Sequence, residues 1–218
     1  MMFNTRNSRW GLPPVVQNLL IANVMLWLAT WMAMQFQSPR MIGLLNSLAL
    51  YPAGSPLFRP WQPVTYMFMH GSWEHVIFNM FTLWMFGRII EYDMRSRRFL
   101  LYYMVCGVGA GLMQLLVCHL TGAPLFVPTV GASGAVYGLL LAFGMLHPND
   151  IIMPLIPPIP MKAKWAVVVF CAIELLLGIR GSFFSADNVA HFAHLGGALF
   201  GFVLLWWWLR QHKLYRRS

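Results

Sequence analysis

Gly131-Ala132-Ser133-Gly134-Ala135-Val136-Tyr137-Gly138 sets one serine at the head of an apolar run of small residues. Gly131 permits a tight backbone turn. Gly134 and Gly138 lie about one helical turn apart and leave a neighbouring helix room to approach. A serine at a helix N-terminus sits beside unpaired backbone N–H groups and the positive end of the helix dipole. That position favours an oxyanion. A second stretch matches it: Ala190-His191-Phe192-Ala193-His194-Leu195-Gly196-Gly197, with Gly201 one turn beyond. His194, Gly197 and Gly201 share one helix face, so the histidine lies on a strip that another helix can reach. Ser133 and His194 are therefore expected to meet inside a membrane as nucleophile and base.

Composition supports the membrane. Of 218 residues, 59% are hydrophobic and 10% charged, and the mean hydropathy is +0.61. A soluble domain carries roughly 25% charged residues. The chain has room for about six helices of ~20 residues and little else. A net charge of +9 raises the question of nucleic acid. The basic residues cluster at alternate loops instead, so no nucleic-acid partner is expected. Cys106, Cys118 and Cys171 all fall in apolar runs and read as packing residues.

From Ser133 the fourth span runs to His147, before Pro148-Asn149-Asp150. The first span covers Pro14 to Phe36 and is too long for a signal-peptide core. The segment 37–72 is too apolar for a solvated loop and too rich in proline for a span, and is expected to lie in the membrane interface. Further spans cover Trp73 to Tyr92, Phe99 to Leu120, Trp165 to Ile179 and Val189 to Leu209. Residues 1–13 and the basic tail 210–218 then flank a single domain that fills the chain.

Six spans put both termini on one side. With those in the cytoplasm, twelve of the 15 lysines and arginines fall inside, leaving Arg40, Arg59 and Arg180 outside. Span four has 15 residues, about 22 Å of helix, against a hydrocarbon layer of ~30 Å. Ser133 then lies below the outer face, and the segment before it must dip inward. Irregular backbone at that depth is tolerated only inside protein or along a wet cavity. A water-filled pocket with Ser133 at its floor is the expectation.

Other polar residues cluster on the same side. His75 and Asn79 are four apart on span two and can both donate, so with the Ser133 N–H they could hold an oxyanion. Tyr137, one turn after Ser133, is placed to stack on His194. His191 reads as a supporting or interfacial residue, and His70 as a loop residue before span two. His70, His75, His191 and His194 could instead hold a metal. No His-Glu-x-x-His sequence supports that, and none is assigned. The acids Glu74, Glu91, Asp93, Asp150, Glu174 and Asp187 supply no evident partner for His194. A Ser133–His194 dyad is therefore expected, with slow turnover for want of a carboxylate behind the imidazole. Glu91 is expected to anchor the cytoplasmic end of span two, and Glu174 is left without an account.

Together these residues resemble a rhomboid intramembrane serine protease. The marks are His70 and His75-x-x-x-Asn79 entering span two, Gly87-x-x-x-Glu91 leaving it, Gly131-x-Ser133-Gly134 with Tyr137, and Ala193-His194-x-x-Gly197-x-x-x-Gly201. The resemblance runs from about Trp61 to Gly201. It implies an all-α six-helix transmembrane bundle of the bacterial form, in a bacterial inner membrane. It implies a cofactor-free endopeptidase that cleaves transmembrane segments of membrane-protein substrates within the lipid bilayer. Ser133 would be the nucleophile and His194 the general base. His75, Asn79 and the Ser133 backbone would form the oxyanion hole. Tyr137, Gly131, Gly134, Gly197, Gly201 and His70 would support it. Lateral entry between spans two and five would make Trp165 and Phe170 gate candidates. One departure is Gln62 after Trp61, where many members carry arginine, which leaves the polar anchoring of the first loop unassigned. The alternatives are an inactive relative that binds membrane clients and a small proton-coupled transporter. Intact Ser133, His194, His75 and Asn79 argue against the first. The lack of paired repeats argues against the second.

Overall fold

A computed structural model describes residues 11–154, 158–184 and 190–211. Helix α1 covers Pro14–Gln35, with proline in its first turn. Pro13 gives it no side-chain cap. The carboxylate of Glu91 does so from elsewhere, accepting the Val15 and Val16 N–H groups at 3.1 and 2.8 Å and the Ser96 hydroxyl at 2.6 Å. Two N–H groups with no acceptor in their own helix are thereby satisfied.

The first loop is built rather than slack. It contains α2 (Pro39–Asn46), α3 (Gln62–Thr65) and a 3₁₀ turn at Tyr66–Phe68. Gln62 is fully buried. Its amide accepts the Tyr51 N–H at 3.2 Å and donates to the Ser47 and Leu57 carbonyls at 3.2 and 2.9 Å. A neutral amide thus ties three strands of loop together. The Trp61 indole donates to Ser47 and the Thr65 hydroxyl to Leu48. Leu50 and Thr129 exchange backbone hydrogen bonds at 3.0 and 2.8 Å, which fastens this loop to the segment entering span four.

The stretch expected to be span two is one continuous helical run: α4 (Trp73–Thr82), a π-helical stretch at Leu83–Gly87, and α5 (Arg88–Met94). Only Arg95, at φ 65°, separates it from α6 (Ser96–Thr121). Helix α7 is Ser133–Leu146. A short antiparallel pair, β1 (Ile151–Ile152) and β2 (Met161–Lys162), precedes α8 (Ala163–Phe184), and α9 is His191–Arg210. The helix expected to be span five is thus longer than the sequence predicts, since Gly178 and Gly181 do not end it. Gly178 instead lies against Phe192 and His191, where a Cβ would be 3.0 Å from the Phe192 ring. The expected start of span six at Val189, the tail beyond Gln211, residues 1–10 and Asp187 lie outside the described residues.

Among the described residues, α1, α6 and α9 are each long and apolar enough to cross a membrane. The 14 residues of α7 extend ~21 Å, short of the hydrocarbon layer. Large apolar side chains face outward on several helices, among them Ile21, Leu116, Leu176 and Val203. Water would penalise such a surface, whereas lipid tails do not. The interior holds aromatic and small residues instead. Helices α6, α7 and α9 approach closely through glycine, and a Cβ on Gly197 would overlap the Gly134 carbonyl. Tyr102 donates to the Gly138 carbonyl at 2.8 Å, bonding α6 to α7, and Tyr66 of the first loop donates to the Gly107 carbonyl at 2.7 Å, bonding that loop to α6. At the other end of α7, His147 Nε2 lies 2.7 Å from Asp93 of α5.

Candidate active site

The entry to α7 sets the serine. Gly131 has φ +126°, a conformation that side chains resist, and a Cβ there would lie 2.5 Å from His75 Nε2. Its N–H donates to the Tyr66 carbonyl at 3.0 Å, which holds the turn against the first loop. Ser133 is the first residue of α7, so its N–H has no acceptor within the helix. Its side chain does not turn back on its own helix. Ser133 Oγ lies 2.8 Å from His194 Nε2, across 61 positions of sequence. The close α7–α9 approach at Gly134 and Gly197 makes that distance possible.

Tyr137 lies on the His194 ring, with centroids 4.5 Å apart and planes 6° from parallel. Ser133, His75, Asn79 and His194 border one cavity of about 460 Å³, with Gly131 and Val130 on its wall. A second cavity of about 440 Å³ runs from Asn79 and Ser133 past Met85 and Phe86 to Phe170 and Pro154. The exposed Trp165 is not among its lining residues. Asn79 is buried, and its Nδ2 has no hydrogen-bond partner among the described residues. A buried amide donor left unspent costs stability unless something else occupies it. Its position beside Ser133 makes an incoming oxygen the natural acceptor.

His70 lies under the site rather than in it. It is buried, its ring edge against His75 with centroids 5.1 Å apart. Burial, and then the neighbouring His75, bring its pKa down to about 4. It is neutral at ordinary pH and adds no charge near the serine. Gly201 packs against Tyr102 and Cys106, so it serves the α6–α9 contact.

The expectation that no acid reaches His194 is corrected. Glu174 of α8 is buried, 7% exposed. Its Oε2 lies 3.0 Å from His194 Nδ1 and 2.6 Å from His191 Nδ1. Its Oε1 accepts the Tyr137 hydroxyl. The His194 contact has ion-pair distance but not hydrogen-bond alignment, since Nδ1 has no hydrogen-bond partner among the described residues. His191 accordingly belongs to the interior of the site and not to its surface. The expected slow turnover therefore loses its premise, an imidazole with no carboxylate behind it. What the sequence lacked was the rotation of α8 against α9. That rotation turns Glu174 inward, whereas nothing in the local pattern of α8 requires it. The signal was there in one respect, because a carboxylate in an apolar span must find a partner.

The ligating atoms of Glu174, His191 and His194 lie within 4.8 Å of one another, near enough to share a metal ion. This trio differs from the four-histidine cluster weighed on sequence. A metal there would use His194 Nδ1 and leave Nε2 to Ser133.

Comparison with known proteins bears on the family of the chain. A family model described as the Rhomboid domain matches residues 57–211. The chain is 35% identical over 167 residues to "Rhomboid-like protein 11, chloroplastic" of Arabidopsis thaliana, covering 74% of this chain and 56% of that one. It is 31% identical over 144 residues to "Rhomboid protein 1, mitochondrial" of Saccharomyces cerevisiae, covering 66% and 40%. With YdcA of Bacillus subtilis it shares 27% identity over 195 residues, 88% of this chain and 86% of the other. The chain thus spans about half the length of the plant and yeast relatives. Since the matched domain takes in the loop anchored by Gln62, the serine turn and the histidine helix alike, the chain belongs to the rhomboid family.

Proposed function

We propose that this protein is an intramembrane serine endopeptidase acting on transmembrane segments of other proteins. The observation that carries the proposal is the 2.8 Å contact between Ser133 Oγ and His194 Nε2 at the floor of a cavity. His194 Nε2 takes the Ser133 proton as Oγ attacks the scissile carbonyl carbon. The carbonyl oxygen becomes an oxyanion beside Asn79 Nδ2, the Ser133 N–H and His75. His194 then gives its proton to the leaving amine, and the C–N bond breaks. Water repeats the sequence on the acyl-serine and releases the carboxylate product. The apolar cavity from Asn79 to Phe170 suits an unwound hydrophobic segment.

The reading includes six spans with both termini in the cytoplasm, supported by the distribution of lysine and arginine. A bacterial plasma membrane is the proposed location. The even coverage of the Bacillus relative supports it, although the plant and yeast relatives are named for plastid and mitochondrion.

Labelling of the detergent-purified protein by a fluorophosphonate probe tests the activity. Wild type should label, in the presence of a chelator as well, and Ser133→Ala and His194→Ala should not while melting like wild type. A well-folded wild type that stays unlabelled rejects the proposal in favour of a client-binding relative. Loss of labelling in chelator would point to a metal at Glu174, His191 and His194.

A further inference from the structure

Glu174 stands one helix away from the serine, yet three side chains of the site converge on it. Tyr137 comes from α7, and His191 and His194 come from α9. Among the described residues, Cys171, one turn earlier on α8, is the other titratable group near it, and His75 of α4 faces His194 across the cavity. A carboxylate at this depth needs compensation, and Tyr137 and His191 would supply enough for a purely structural anchor. Two features go beyond anchoring. Oε2 lies 3.0 Å from the one His194 nitrogen that does not face Ser133. The ring stacked on His194 is also the ring whose hydroxyl the same carboxylate holds. Glu174 thus constrains the imidazole at its edge and, through Tyr137, across its face.

We propose that Glu174 is a positioning residue, whose carboxylate keeps the His194 proton on Nδ1 and offsets the imidazolium formed when Ser133 is deprotonated. The inference rests on the proteolytic reading of this site. In the resting state Nδ1–H and Oε2 are close but misaligned. As Nε2 accepts the serine proton, the charge on the ring draws the pair together, and contacts of this kind commonly tighten only when the reaction begins. No proton leaves Nδ1. Its tautomer leaves the Nε2 lone pair available to Ser133, which an N–H on Nε2 would block. His191, with Nδ1 at 2.6 Å from the same oxygen, keeps the carboxylate from rotating away.

The test is the rate of fluorophosphonate labelling of the full chain between about pH 5.5 and 8.5, the range in which a histidine titrates. Wild type, Glu174→Gln and Glu174→Asp are compared, with melting temperature measured for each. Glu174→Gln should label about 100-fold more slowly, within the range general-base function contributes. Its pH midpoint should move to lower pH, because a cationic ring has lost its counter-charge. Glu174→Asp keeps the charge but withdraws it by one methylene. It should keep the wild-type midpoint at a reduced rate. A folded Glu174→Gln with wild-type rate and midpoint overturns the proposal, and so does a wild-type rate in Glu174→Asp if the glutamine variant does not fold. Either result leaves the Ser133–His194 reading standing. A wild type that never labels removes both.

Discussion

Two glutamates are buried in this protein, and they do opposite things. Glu91, at the far end of span two, receives two backbone N–H groups and a serine hydroxyl. None of those donors changes its proton at any accessible pH. Glu174, in α8, is hydrogen-bonded to Tyr137 and His191 and lies at ion-pair distance from His194. Both carboxylates are compensated, as burial demands, but one is bound to rigid backbone and the other to titratable side chains. The first arrangement can only hold helices together. The second can respond to a charge that comes and goes. Residue type and burial do not separate the two, whereas the identity of the donors does.

The largest effect should come from breaking the rigid partner. Glu91→Ala leaves the part-buried Val15 and the buried Val16 N–H groups without an acceptor and should cost about 4 kcal/mol of stability, at roughly 1–3 kcal/mol for each orphaned group. Labelling per folded molecule should stay within about twofold of wild type, as no contact links Glu91 to the serine. Thermal unfolding alongside probe labelling checks both, and a large drop in labelling of folded protein would erase the distinction between the two ends.

Asn79→Ala comes next. One oxyanion donor is worth roughly 2–4 kcal/mol at most, so cleavage or labelling should fall without vanishing, and stability should hold. Wild-type rates would remove Asn79 from the mechanism and leave its unspent Nδ2 unexplained.

A titration separates stability from activity at the end that holds the serine. His70 has an ordinary pKa when unfolded but one of about 4 when folded. Between those values the unfolded chain binds more protons, so stability falls as pH drops through that window. The loss from pH 7 to pH 5 should be about 2 kcal/mol, following the 1.36 kcal/mol per unit of differential pKa. His70→Gln should flatten the dependence of melting temperature on pH, and an unchanged slope in that variant would assign the effect to other groups.

The smallest change is Tyr137→Phe. The ring stays stacked on His194 while the hydroxyl on Glu174 is lost. About 1 kcal/mol, a roughly fivefold slower labelling, is expected for one hydrogen bond. A loss as large as that of Glu174→Gln would mean that the carboxylate acts mainly through the tyrosine and not through His194 Nδ1.

Much of the fold is legible in the sequence because lipid imposes simple rules. Long apolar runs, glycine spacing and the charge on the loops mark where helices begin and which faces can touch. Ser133 opens a helix as its glycine context predicts, and His194 lies on the glycine face that packs against it. Gln62 shows the opposite case. Read as a missing arginine, it leaves the polar anchoring of the first loop unassigned. In the structure it makes three hydrogen bonds to backbone, since a buried loop needs neutral donors and acceptors more than charge.

Composition, the lengths of the apolar runs and the scarcity of polar residues are enough to give the membrane class, the helical runs and the short list of side chains that a bilayer would not tolerate without a reason. Those follow from the cost of placing charge and unpaired backbone in hydrocarbon, which acts on each segment separately. Which acid meets which histidine is a different matter. That depends on how α8 rotates and how deep it sits against α7 and α9, a matter of packing among three helices whose outward faces are all apolar. The pattern of α8 gives Glu174 no preferred side. The tyrosine and two histidines presented by its neighbours do.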